Sequence, residues 1–233
     1  MVLPKIKYPI HEFEMPTTGE KIPFRPFLVK EEKLLLMAKE SGDTIDMLKA
    51  LKQVINNCCL LENFDINELS LLDLEYLFLK LRAISVGDIV EVSYKDKDDD
   101  EIYKFNINLN DVKVVFPENI DKNIKVNDEV GIILKYPSAS LLSDTDILNS
   151  NKDAFYEIIL KCIDKVYDAE NVYECKDIPK NELEEFLDNC GLKTFEQIQK
   201  FFVNLPKLYY KIEYTNKNGK NRIIELTSLM DFF

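Results

Sequence analysis

The chain has 233 residues, 46% of them hydrophobic and 31% charged, a balance that supports one sizeable core or two small ones and excludes a disordered polymer. Its formal net charge of −12 gives a long-range field that repels phosphate backbones and anionic bilayers, so neither nucleic acid nor membrane is expected as a partner. With five cysteines in no C-x-x-C pair and a single histidine, His11, there is little material for Cys/His zinc sites or histidine-based triads.

No stretch reaches the roughly 18 unbroken apolar residues of a membrane span. The segment MVLPKIKYPIHEF lacks the basic start, apolar core and cleavage site of a signal peptide. A protein kept in a cytoplasm with reduced, mostly buried thiols is therefore expected.

In chain order, IHEFEMPTTGEKIPF reads as a hairpin turning at Pro16–Gly19. Lys30, Glu31 and Glu32 open a helix that Gly42 closes, with acids in the first turn where the macrodipole favours them. Asp43 caps a second helix, whose Ile45, Leu48, Leu51, Val54, Ile55 and Cys58 recur at threes and fours. A third, capped by Ser70 with Asp73, is apolar on nearly every side and is expected at the centre of its domain. After Gly87 the period changes, and DIVEVSYKDKDDDEIYKFNINL reads as a second hairpin around an acidic turn. VKVVFP and VGIILKYP supply further strands, each stopped by a proline.

From Ser140 the chain is expected to turn helical, with Phe155, Ile158, Ile159, Cys162, Ile163 and Val166 on one face. Pro179 starts another helix that ends before Gly191, and Thr194 with Gln197 forms a capping box for a last helix stopped by Pro206. Two alternating runs around Asn218–Gly219 make a third hairpin. The expected fold class is α+β: an N-terminal lobe of β-hairpins packed on helices, residues 1–140, and a C-terminal helical lobe ending in a hairpin, residues 141–233.

Few residues suggest chemistry. Asp96, Asp98 and Asp100 have the first spacings of a calcium loop, but Glu101 stands where a glycine is needed and Ile107 where a bidentate glutamate is needed, so a solvated hairpin turn is expected. Glu31/Glu32 and Glu184/Glu185 are adjacent on helices and diverge by about 100°, unlike the facing carboxylates of a glycosidase. No catalytic residue, cofactor site, metal site or small-molecule substrate is expected.

The candidate protein interface comprises Phe24, Arg25, Pro26 and Phe27 with Phe201, Phe202, Leu205, Pro206, Leu208 and Tyr209. The FRPF segment has two readings: a strand-to-helix corner, or a partner-binding site in which Arg25 pairs an acid. The doubled aromatics before a terminal hairpin read as core or as a docking face.

The segments IPFRPFLVKEEKLLLMAKES, INNCC, LSLLDLEYLFLKLRAISVGDIVEV, KDIPKNELEEFLDNC and FEQIQKFFVNLPKLYYKIEYTN, in colinear order, closely resemble the baseplate hub proteins of T-even-type contractile-tailed bacteriophages and their marine relatives. The resemblance implies a non-enzymatic protein made in the infected host's cytoplasm. It further implies a component of, or assembly factor for, the central hub of the tail baseplate, with hub or tape-measure proteins as partners. The alternative it leaves open is a chaperone absent from the finished virion.

Overall fold

The computed structural model describes residues 6–118, 120–144 and 154–232. Helices and small antiparallel sheets are mixed in an α+β fold, as the patterning implied. Two compact units share the chain: Met1–Val115 with Lys207–Phe233, and Phe116–Pro206. This partition differs from a single boundary near residue 140. Strand β5 (Lys113–Val115) pairs with β10 (Lys207–Thr215), which draws the terminal hairpin into the first unit.

In the first unit, β1 (His11–Glu14) and β2 (Lys21–Phe24) form the opening hairpin, with Gly19 at φ 72° in its turn. A left-handed residue closes that turn, and glycine adopts it without a Cβ clash. Helices α1 (Val29–Ser41), α2 (Thr44–Cys58) and α3 (Leu71–Ser85) follow. Gly42 ends α1 at φ 68°, and the Asp43 carboxylate accepts from Ile45 N at 2.7 Å to start α2.

Helix α3 buries Leu72, Leu74, Leu77, Phe78, Leu79 and Leu81, so it occupies the centre that its near-continuous apolar sequence required. Its N-terminus also fixes the first hairpin. Ser70 Oγ accepts from Asp73 N, and Asp73 accepts from Thr17 N at 3.0 Å and from the Thr17 hydroxyl in the β1–β2 turn. A helix cap thereby becomes a tertiary bond.

Strands β3 (Ile89–Lys95) and β4 (Ile102–Asn108) make the acidic hairpin, and β10 with β11 (Asn221–Leu226) makes the terminal one around Gly219.

The second unit holds a four-stranded antiparallel sheet in the order β6-β7-β8-β9: Asn123–Lys125, Gly131–Leu134, Ile163–Tyr167 and Val172–Glu174. Helices α4 (Ala154–Cys162), α5 (Lys180–Asp188) and α6 (Leu192–Val203) accompany it. Ile132, Leu134, Ile159, Leu183, Ile198 and Phe201 form its apolar centre.

Here the expected helices are corrected in two places. The helix expected to carry Ile163 and Val166 stops at Cys162, and Ile163–Tyr167 becomes a strand between β7 and β9. Its β-branched Ile163 and Val166 are buried in the sheet, and pairing on both edges outweighs a helical pattern that ran on by only two apolar residues. Gly191 is the N-cap residue of α6, so that helix begins before Thr194, whose own N–H bonds back to Gly191 O at 3.0 Å. The part of the expected helical run at residues 145–153 lies outside the described residues.

Candidate interaction site

The FRPF segment leads from β2 into α1, and its aromatics point inward. Phe24 is fully buried, 5.9 Å from the Phe13 ring and 6.1 Å from Phe64, and Phe27 is buried as well. Arg25 fastens two helix ends. Its guanidinium donates to Glu31 Oε1 at 3.0 Å, to Asn57 O at 2.9 Å in the last turn of α2, and to Pro26 O at 3.0 Å.

Glu31, 0% exposed in the first turn of α1, also accepts from Leu28 N at 2.9 Å. The pair thus supplies a donor to an orphan carbonyl at one helix C-terminus and an acceptor to an orphan amide at another N-terminus. Burial alone would raise the Glu31 carboxyl. The Arg25 and Leu28 hydrogen bonds and the charge of Lys30 outweigh it and hold the carboxyl below its ordinary range.

The other expected interface residues divide by exposure. Phe201, Pro206 and Leu208 are buried, whereas Phe202, Leu205 and Tyr209 are half-buried. Phe202 packs at 5.4 Å against Phe155 and 5.3 Å against Phe201, and the Tyr209 hydroxyl donates to Glu225 at 3.0 Å. The buried members, with Phe24 and Phe27, meet a partner only if the fold opens.

The acidic turn is solvated at Lys97, Asp98 and Asp100, as expected, but not at Asp96. Asp96 is 0% exposed, and it accepts from Asp98 N at 2.7 Å and from the Tyr214 hydroxyl at 2.6 Å. Arg222 lies 3.4 Å from Asp96 and 3.3 Å from Asp98, and Lys220 lies 3.3 Å from Asp98. Lys217 N donates to Asp99 Oδ2 at 3.0 Å. The Tyr214 hydrogen bond, then the Asp98 amide, hold the Asp96 carboxyl below its ordinary range.

A signal for this docking was present in the sequence. The acid run KDKDDDE has a basic counterpart in NKNGKNR at the tip of the last hairpin. What periodicity does not supply is the pairing of two turns more than a hundred residues apart.

The thiols are placed for packing. Burial pushes Cys58 up to about 11, Cys175 to about 11 and Cys162 to about 12, far from a thiolate at neutral pH. His11 is half-buried and stacks near Phe13 at 6.4 Å. Among the described residues, no group of three or more His, Cys, Asp or Glu side chains is arranged to hold a metal ion.

A family model described as T4 bacteriophage base plate protein matches residues 8–233. The chain belongs to this family. No curated protein and no solved structure matches it. Membership points to a structural or assembly role in the phage baseplate, exercised through contacts with other baseplate components. The buried carboxylates of this baseplate protein, Glu31, Asp73 and Asp96, are engaged in holding its own elements together.

Proposed function

We propose that the chain is a non-enzymatic component of, or assembly factor for, the central hub of the baseplate, acting by protein–protein binding to other hub or tape-measure proteins. The observation that carries this reading is the family match over residues 8–233, which includes the residues of both compact units from position 8 onward. The burial of Cys58, Cys162 and Cys175 and the engagement of the buried carboxylates in structural bonds support binding over catalysis.

A subunit retained in the virion and a chaperone that leaves after assembly both satisfy this reading, with the host cytoplasm as the place of assembly and the tail baseplate as the destination of a retained copy. Mass spectrometry of washed particles beside infected-cell lysate separates them. Presence in virions at a few copies per tail supports the hub subunit, while abundance in lysate with absence from virions supports the chaperone. If deletion of the gene leaves baseplate assembly intact, both readings fail.

A further inference from the structure

Helix α1 is only partly covered. Of its residues only Glu31 and Ala38 are buried, while Val29, Leu36 and Met37 are 73%, 51% and 67% exposed. One face of it, Glu32, Leu35, Leu36 and Lys39, forms the wall of an open groove of about 400 Å³. Met47 and Leu51 of α2, Phe78 and Arg82 of α3, and Leu229 and Met230 also line it. Each helix contributes a pair spaced by four residues, so the groove follows helical ridges. Met230 at its edge is 60% exposed, and with Met47 it supplies adaptable apolar surface.

We propose that this groove is the interface of a homodimer, in which α1 lies antiparallel to α1 of a second copy across a two-fold axis, with Leu35 and Leu36 at the centre and Glu32 facing Lys39 of the other copy. The charge pattern carries the choice of occupant. Glu32 and Lys39 lie two turns apart on one face, separated by about 10 Å, and no ion pair within the described residues engages either. The midpoint between them falls between Leu35 and Leu36. An antiparallel two-fold therefore places unlike charges opposite each other at both ends and apolar side chains opposite each other in the middle, which is the self-complementarity an isologous contact requires.

An extended segment is a poorer occupant. The groove walls are helices, which have no free strand edge to pair its backbone, whereas a helix satisfies its own hydrogen bonds. The net charge of −12 on each copy opposes approach at long range. At physiological salt that repulsion is screened beyond about 8 Å, leaving the local contacts to decide.

Sedimentation equilibrium of the full chain at physiological salt tests the proposal. The wild type is expected to show a reversible monomer–dimer equilibrium with a dissociation constant on the order of micromolar, as befits a small interface. Glu32→Lys and Lys39→Glu each set like charges against each other and should weaken the dimer at least about tenfold. The double charge swap restores opposite charges and should recover most of that loss. Leu36→Glu, and independently Met230→Glu, should give monomer with unchanged circular dichroism, since both side chains are more than half exposed.

A wild type that stays monomeric at every concentration overturns the proposal, as does a dimer indifferent to these changes or a double swap no better than its parents. A monomer that instead takes up a stapled amphipathic helical peptide, with binding lost in Leu36→Glu, assigns the groove to a foreign helix. Virion mass spectrometry is independent of each of these outcomes.

Discussion

Replacing Arg25 with alanine tests whether the FRPF corner is a structural clasp. The change strips the guanidinium from Glu31, a carboxylate whose side chain is 0% exposed. Removing one partner of a buried ion pair costs about 3–5 kcal/mol, because the remaining charge stays desolvated. Leu28 N–H and the nearby Lys30 Nζ, 3.4 Å from Glu31 Oε1, remain to soften the loss, which places the expected cost near 3 kcal/mol. For a unit of this size that corresponds to a fall in melting temperature on the order of 10 °C.

The pH dependence gives a second, independent reading. In the wild type the Glu31 carboxyl is held below its ordinary range, so its contribution is present above the unfolded carboxylate value of about 4.3 and is lost as pH falls through the depressed folded value. Without Arg25 the dominant remaining influence is burial, which favours the protonated acid, so the deficit of Arg25→Ala should shrink as the pH is lowered from neutral to mildly acidic.

Urea titrations of both proteins at pH 7 and at pH 4, read as midpoint shifts at constant slope, measure this directly. Arg25→Lys should rescue little, because an ammonium cannot span Glu31, Asn57 O and Pro26 O together. A cost below about 1 kcal/mol at neutral pH, typical of an exposed pair, would refute the reasoning, as would a deficit equal at both pH values. If Arg25 instead serves a partner, binding falls while the urea midpoint stays where it was.

Three further outcomes are expected. Asp96→Asn should destabilise the protein at neutral pH and flatten its loss of stability on the acid side, because a depressed carboxyl contributes above its unfolded value and loses that contribution as pH falls; urea midpoints across pH 3–7 check the sign. Gly131→Ala places a methyl group where the Tyr167 ring lies across the strand, and the ring must swing away and give up its 2.7 Å bond to Asn123. A cost of about 1 kcal/mol is expected in thermal melts, largely abolished in a Tyr167→Ala background. At pH 8, Cys58 and Cys162 should react with an aromatic disulfide reagent only as fast as the protein opens, after half-buried Cys59 and Cys190; peptide mapping that finds either modified first would contradict the burial.

Much of the fold was legible because it depends on short-range chemistry. The turn at Gly19, the stop at Gly42, the Asp43 and Ser70 caps and the Asn218–Gly219 hairpin each follow from what a few adjacent residues permit their backbone to do. The central position of α3 followed from an apolar surface with no side left for water. The family likeness was legible too, as a colinear series of segments, and the match over residues 8–233 bears out the baseplate assignment.

Tertiary structure decided what depends on distant partners. Ile163–Tyr167 is a strand because β7 and β9 flank it, although its own residues continued a helical pattern. Arg25 faces two helix ends and Asp96 is buried because Asn57, Glu31, Tyr214 and Arg222 are brought to them by folding. Return of the terminal hairpin to the first unit depends on β5 meeting β10, a pairing that alternation in either strand alone cannot specify. Local propensity fixes how each segment is shaped, whereas burial and charge neutralisation depend on which segments meet, and that is settled only when the whole chain packs.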